Sequence, residues 1–137
     1  MSVLPFVNVE KLVAIHLNGG PGVTRALPAP YRAVTDLPDP LEPRLPLVQL
    51  IAGTSTRDDQ VSAYPRVDVH CFAATRDAMW ALTEAMHAAM GKLTSVNGQD
   101  VDQVRTIIWP YFLRWSPTVP RSVATYEIEL RPRRAVG

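Results

Sequence analysis

The chain has 137 residues, of which 47% are hydrophobic and 20% are charged, a composition typical of one globular domain and unlike that of a disordered chain. Its formal net charge of +1 excludes a strong overall field that would draw the protein to nucleic acid or to an anionic membrane, so any basic patch is local. The single cysteine, Cys71, excludes an internal disulfide and a cysteine-based zinc site.

No apolar stretch approaches the roughly 20 residues that span a bilayer. The first residues, MSVLPFVNVEK, lack both the basic start and the long apolar run of a signal peptide. We therefore expect a protein that is made in the cytoplasm and has no membrane partner.

The first predicted element is a helix, and a long proline-rich segment follows it. Asn8 is a suitable N-cap, apolar residues recur at helical spacing after it, and the stretch NGGPG, residues 18–22, ends the helix. Seven of the thirteen prolines lie in residues 21–46. Because proline lacks the N–H that helices and sheets require, we expect an extended arm there, with a short edge strand at residues 23–27. Because long loops of this kind are often functional, we expect the arm to lie on the surface of a partner.

A strand and an exposed loop are predicted in the middle of the chain. The apolar run LPLVQLIAG, residues 45–53, has the length of a strand and ends at a glycine. The polar stretch TSTRDDQVS, residues 54–62, is typical of an exposed loop.

Between residues 66 and 93 the hydrophobic period changes from two residues to between three and four. Val67, Val69 and Cys71 predict a strand with one buried face. Thr75 is a suitable N-cap for a helix whose apolar face consists of Met79, Leu82, Met86, Met90 and Leu93. We expect this methionine-lined face to be core; the alternative is an adaptable binding groove. Small residues between these positions predict that the helix lies close on a sheet: Ala78, Ala81, Ala85, Ala88 and Ala89.

Two further strands complete the predicted sheet. The stretch VRTIIWPYFLRW, residues 104–115, is apolar on both faces, so each face is expected to pack against another element or subunit. Pro110 permits an edge strand or a bend. The closing stretch alternates, with Tyr126, Ile128 and Leu130 inward and Glu127, Glu129 and Arg131 outward. This order of elements predicts a single α+β domain over residues 1–137: a mainly antiparallel sheet, two helices packed on one face, and the proline-rich arm.

Reactive side chains do not form a recognisable motif. The G-x-S-x-G nucleophile pattern and both glycine-rich phosphate-binding patterns are absent. His16, His70 and His87 are scattered without metal-ligand spacing, and Asp58 and Asp59 lack the calcium-loop pattern. We therefore expect a protein that is not an enzyme and needs no metal or cofactor.

The quoted elements resemble those of the tail terminator proteins of long-tailed bacteriophages, also called tail completion or tail-to-head joining proteins. The likeness covers roughly residues 8–132. It is strongest in YPRVDVHCFAATRDAMWALTEAMHAAM, where a strand of the form P-x-V-x-V-x-x-F-A leads into an alanine-rich helix, and in the closing strand VATYEIELRPR. The proline content of residues 21–46 exceeds what the family leads us to expect.

The resemblance implies a structural virion protein. Such a protein forms a ring, expected to be hexameric, on the head-proximal end of the phage tail, where it stops growth of the tail tube and provides the joint to the head. Its partners would be the tail tube protein and a head-completion or neck protein, and DNA would pass through the lumen without specific binding. The alternatives are another phage neck, head-completion or minor capsid protein, or a small ligand-binding α+β domain.

Three groups of residues are hypothetical contact sites in such an assembly. Subunit contacts are expected on the arm and on the aromatic cluster Trp109, Tyr111, Phe112 and Trp115. Tube or neck contacts are expected on the loop residues Arg57, Asp58 and Asp59. The flexible basic tail, residues 132–137 with the preceding Arg131, would add contacts through Arg131, Arg133 and Arg134. The alternatives are base stacking for the aromatic cluster and an ordinary solvated terminus for the tail.

Overall fold

A sheet and two helices make up most of the computed structural model, which describes residues 2–3, 8–53, 63–131 and 133–134, with no side-chain description at 2–3 and 133–134. The predicted α+β fold is confirmed. In chain order the elements are β1 (Ser2–Val3), α1 (Val9–Asn18), β2 (Ala33–Val34), a 3-10 turn (Glu42–Arg44), β3 (Leu47–Ala52), β4 (Arg66–Phe72), α2 (Arg76–Met90), β5 (Ser95–Val96), β6 (Gln99–Phe112), β7 (Arg121–Leu130) and β8 (Arg133–Arg134).

The main sheet has the strand order β2-β3-β4-β7-β6-β5. Every neighbouring pair is antiparallel except β2 and β3, which run parallel. The short strands β1 and β8 pair with each other in a separate antiparallel ladder. Strand β7 is central, since β4 and β6 pair with its two edges along most of its length.

Both helices begin after the N-caps that the sequence predicts, but α2 ends at Met90, so Leu93, expected on its apolar face, lies beyond the helix. The backbone N–H of Lys11 donates to the Asn8 side chain at 3.1 Å, and Gly19 ends α1 with a φ of 82°. In α2 the N–H of Ala78 donates to the Thr75 hydroxyl at 3.1 Å. Gly91 is the C-cap of α2.

The predicted edge strand at residues 23–27 is wrong, because these residues serve the end of α1 instead. The N–H groups of Ala26 and Leu27 donate to the carbonyls of His16 and Leu17 at 3.0 Å each, in the last turn of the helix. These carbonyls have no partner within the helix and therefore need one outside it. The strand lies farther along, at Ala33–Val34.

The methionine-lined face of α2 is core, as predicted. Met79, Leu82, Met86 and Met90 are fully buried. The last three belong to the core cluster that contains the apolar face of β4. The prediction for the alanines is wrong at Ala78, Ala81 and Ala88, which are exposed, because these positions lie outside the buried stripe of the helix.

The closing strand follows its predicted alternation on the inner face only. Tyr126, Ile128 and Leu130 are buried, but Glu127, predicted to point into solvent, is only 3% exposed. Glu127 stands in register between Arg66 of β4 and Arg105 of β6, and both guanidinium groups lie within 4.0 Å of its carboxylate, at 3.6 and 3.8 Å. Its place on the central strand therefore covers it with neighbouring charged side chains.

The proline-rich segment packs on its own domain through apolar residues. Leu27 is buried in the main core beneath the helices. Leu41 joins Leu47, Phe72 and Val119 in a second cluster. Leu47 and Phe72 are register partners one residue away from Val48 and Cys71 of the main core, so this second cluster lies on the other face of the sheet.

Burial of α2 gives the first prediction. Leu82→Ala should lower the free energy of unfolding by about 3 kcal/mol, because it removes a fully buried side chain and leaves a cavity. The matched control is Leu113→Ala, at a leucine that is 45% exposed, which should cost less than about 1 kcal/mol. Urea denaturation of both variants, at a concentration where the chain is monomeric, measures the difference; equal losses would contradict the assignment of the core.

Candidate functional site

The end of β6 and the residues after it carry a row of exposed apolar side chains, which we call the apolar ribbon, residues 108–115. Five of its large apolar side chains are between 43% and 67% exposed, and Trp109 is the most exposed of them. Exposed apolar patches of this kind are typical of interaction sites. The exposed members are Ile108, Trp109, Tyr111, Leu113 and Trp115.

The predicted aromatic cluster lies within this ribbon, but its members differ in environment. Trp109 and Tyr111 are exposed, whereas Phe112 is half-buried beneath the Arg76 guanidinium, 3.9 Å from its ring centre. Trp115 is partly exposed and packs edge-on against Phe72, with ring centres 6.0 Å apart. The structure therefore places the four residues on one stretch of chain but not in one cluster, because Trp109 and Phe112 contact α2 whereas Trp115 contacts the second core cluster at Phe72.

The ribbon lies on an edge of the sheet. Strand β5 pairs with β6 only at Gln99 and Asp100, and no described strand pairs with the outer edge of β6 beyond that point. The pairing of β6 with β7 shifts register on both sides of Ile108, close to Pro110. An edge strand or bend at Pro110 is therefore confirmed, since proline is tolerated at edges and bulges.

A shallow apolar groove of about 360 Å³ lies between the ribbon and α2. The His87 ring packs against Trp109 with ring centres 5.0 Å apart, and His87 Nδ1 lies 2.6 Å from the Tyr126 hydroxyl. Glu84 is the one acidic residue that lines the groove. We call this feature the α2 groove; its lining residues are Trp80, Thr83, Glu84, His87, Ala88, Trp109 and Pro110.

Two polar side chains beside the groove, Thr83 and Ser122, are buried and hydrogen-bonded to each other. The Thr83 hydroxyl donates to the Met79 carbonyl at 2.7 Å, so it accepts from the Ser122 hydroxyl, 2.6 Å away. Burial raises the pKa of the Cys71 thiol to about 12, and the neighbouring Ser122 and Thr83 side chains oppose this rise only in part. The thiol is therefore protonated at neutral pH and is a poor nucleophile.

Each histidine has its own surroundings, as the scattered sequence positions predict. His16 is buried, and its Nε2–H donates to the Ala89 carbonyl at 2.7 Å, which ties α1 to the end of α2. Partial burial lowers the pKa of His70, and nearby Arg121 lowers it further against the opposite effect of Asp68. Within the described ranges, no three His, Cys, Asp or Glu side chains are grouped so as to hold a metal ion.

A second, more polar cleft of about 640 Å³ lies beyond the C-terminal end of α2. It is bordered by the loop after α1 and by the turn between β5 and β6. Its charged and polar lining residues include Arg25, Lys92, Ser95 and Asn97.

The other predicted contact residues are only partly described. Arg57, Asp58 and Asp59 lie outside the described residues. Arg131 is exposed, and its Nε lies 2.7 Å from an Asp102 carboxylate oxygen. Arg133 and Arg134 form β8, whose backbone pairs with β1.

Sequence reasoning missed the α2 groove. Trp80, Glu84, His87 and Ala88 recur at spacings of three, four and seven residues, which places them on one side of α2 outside the methionine stripe. That spacing was a readable signal for a second helix face. The approach of Trp109 was not readable, because it depends on the irregular pairing around Pro110.

The buried thiol gives a pH prediction. An unfolded chain releases the Cys71 proton near pH 8.5, whereas the folded chain retains it up to about pH 12, so stability falls as pH rises through this window. Between pH 8 and 10 we expect the loss of unfolding free energy to be about 2 kcal/mol smaller in Cys71→Ala than in the parent. Urea denaturation at both pH values measures this difference, and identical losses in both proteins would contradict it.

Neither described helix has the length and apolar character needed to cross a membrane. No protein-family model and no curated protein sequence matches the chain. The resemblance to tail terminators therefore stays a prediction, and the proposed function rests on the surface features of the domain.

Proposed function

We propose that this protein is a structural subunit of a phage virion, a tail terminator that assembles into a ring, expected to be hexameric, on the end of the tail tube. The observation that carries the proposal is the apolar ribbon at the end of β6, where no described strand pairs with the outer edge. The likeness of the sequence to tail terminators supplies the identity of the assembly.

The ribbon favours assembly because it combines two kinds of unsatisfied surface. Its apolar side chains lose unfavourable contact with water when a partner covers them, at about 25 cal/mol per Å². The outer edge of the strand also offers backbone groups to which a partner can add hydrogen bonds. Aromatic residues such as Trp109 and Tyr111 are the types that most often dominate interface energies.

A closed ring requires two different patches on each subunit, because its contacts are head-to-tail. The ribbon is one patch, and the second must lie elsewhere on the same domain. The proline-rich segment offers exposed residues for such contacts, such as Pro28, Pro30 and Pro40. Axial contacts with the tube or the neck are assigned to Arg57, Asp58 and Asp59 of the loop.

The near-neutral net charge agrees with a ring through which DNA slides. Strong phosphate binding would come from clustered Lys and Arg, and it would hold the DNA in place. A subunit of this charge balance permits passage without specific binding.

The polar cleft is the feature that favours the alternative of a small ligand-binding domain. The two functions differ in oligomeric state, because a ligand-binding domain has no need of a ring. Native mass spectrometry with negative-stain imaging over a range of protein concentrations separates them. We expect a six-subunit species with a central hole; a monomer at every concentration, both alone and with purified tails, would overturn the ring.

Removing the two ribbon tryptophans should weaken the ring. The double variant Trp109→Ser and Trp115→Ser should associate at least about thirtyfold more weakly than the parent, because it loses the largest exposed apolar side chains of the ribbon. Native mass spectrometry measures the shift toward monomers. Ala81→Ser, on an exposed position of α2 outside the groove, is the control. An unchanged ring in a double variant of native far-ultraviolet circular dichroism would remove the ribbon from the interface.

A further inference from the structure

The α2 groove has the chemistry of a site for an organic cation. Two indole rings, Trp80 and Trp109, and the His87 imidazole supply aromatic surface, and Glu84 supplies one carboxylate. Aromatic faces attract cations, and a carboxylate is the natural partner of a guanidinium group. Trp109 is 67% exposed, so a large aromatic surface is open to an incoming group.

Arginines close to the groove are already engaged elsewhere. The Arg76 guanidinium lies over the Phe112 ring at 3.9 Å. Arg114 donates to the Pro117 carbonyl at 3.2 Å. Glu84 makes no ion pair within the described part of the chain, unlike Glu127 and Asp102.

The basic segment of the same chain, residues 131–134, is too far from the groove to supply the cation. Arg131 is held at Asp102, and Trp109 lies seven residues farther along β6, about 23 Å away at the rise of an extended strand. The chain from Arg131 to Arg134 spans at most about 10 Å, less than half of that distance. An arginine of this segment can therefore fill the groove only in another subunit.

We propose that the α2 groove binds the guanidinium group of Arg133 or Arg134, from the basic segment, residues 131–134, of a second copy of this chain. The proposal rests on the proposed ring, for which it supplies the second patch. The acidic, aromatic groove of one subunit receives the basic segment of the next. The contact joins two different patches, one toward each end of β6, and so is compatible with the head-to-tail contacts of a closed ring.

A peptide of residues 130–137 tests this contact without a ring. Added to the full chain at a concentration where the chain is monomeric, it should change the tryptophan fluorescence and saturate. Binding should weaken at least about fivefold in Glu84→Gln, which removes the charge and keeps the shape, and also when glutamine replaces the peptide's arginines. Glu42→Gln, at an exposed glutamate outside the groove, should bind like the parent.

Three results would overturn the proposal. They are no saturable binding to the parent chain, equal binding by the parent and Glu84→Gln, and equal binding by the arginine and glutamine peptides. A parent that forms rings but does not bind the peptide would refute this contact and leave the proposed ring intact. A parent that binds the peptide but never forms rings would refute the proposed ring and leave the contact between groove and arginine intact.

Charge reversal tests the same contact within the assembly. Glu84→Arg alone and the pair Arg133→Glu with Arg134→Glu alone should each lose the ring, because every contact then joins like charges. A mixture of the two variants should regain it, because alternating subunits restore an opposite pair at each contact. Rings that persist in either single preparation, or a mixture that stays monomeric, would contradict the proposal.

Discussion

The site depends on a mismatch between the length of β6 and the elements that cover it. Strand β6 runs from Gln99 to Phe112, yet its outer neighbour β5 has two residues. Helix α2 packs on β4 and β7 and reaches β6 through the Arg76–Phe112 and His87–Trp109 contacts. The far half of β6 is therefore left with an open edge and an apolar surface. The apolar ribbon and the α2 groove both lie at this incompletely covered end of β6.

The interior uses its polar side chains for structure. Thr83 and Ser122 join α2 to β7, and His16 joins α1 to α2. Asp68 accepts from the Thr125 hydroxyl at 2.8 Å, across the β4–β7 pair. Each of these hydrogen bonds satisfies a group that burial would otherwise leave without water. The buried polar side chains thus hold the helices to the sheet, and the proposed interaction surface consists of apolar residues on the outside.

Local patterns were sufficient for much of the fold. The N-caps Asn8 and Thr75, the methionine stripe and the alternation of β4 all follow from rules that act within a few residues. The predictions failed where residues distant in the sequence determine the local structure. Residues 26–27 complete the end of α1 rather than a sheet, and Arg66 and Arg105 cover Glu127 from neighbouring strands. For the site, the sequence placed the four aromatic residues on one stretch, but the groove required knowledge of which helix face meets Trp109.

Hydrogen exchange of the β6 backbone amides tests the central claim, that the open half of β6 is a subunit interface. The exchange of residues 101–113 is measured at protein concentrations below and above assembly, with the β4 amides as an internal reference. The account predicts that amides on the outer edge of β6 become protected with increasing concentration while those of β4 do not change. Exchange of residues 101–113 that is the same in monomers and in assembled rings would contradict it.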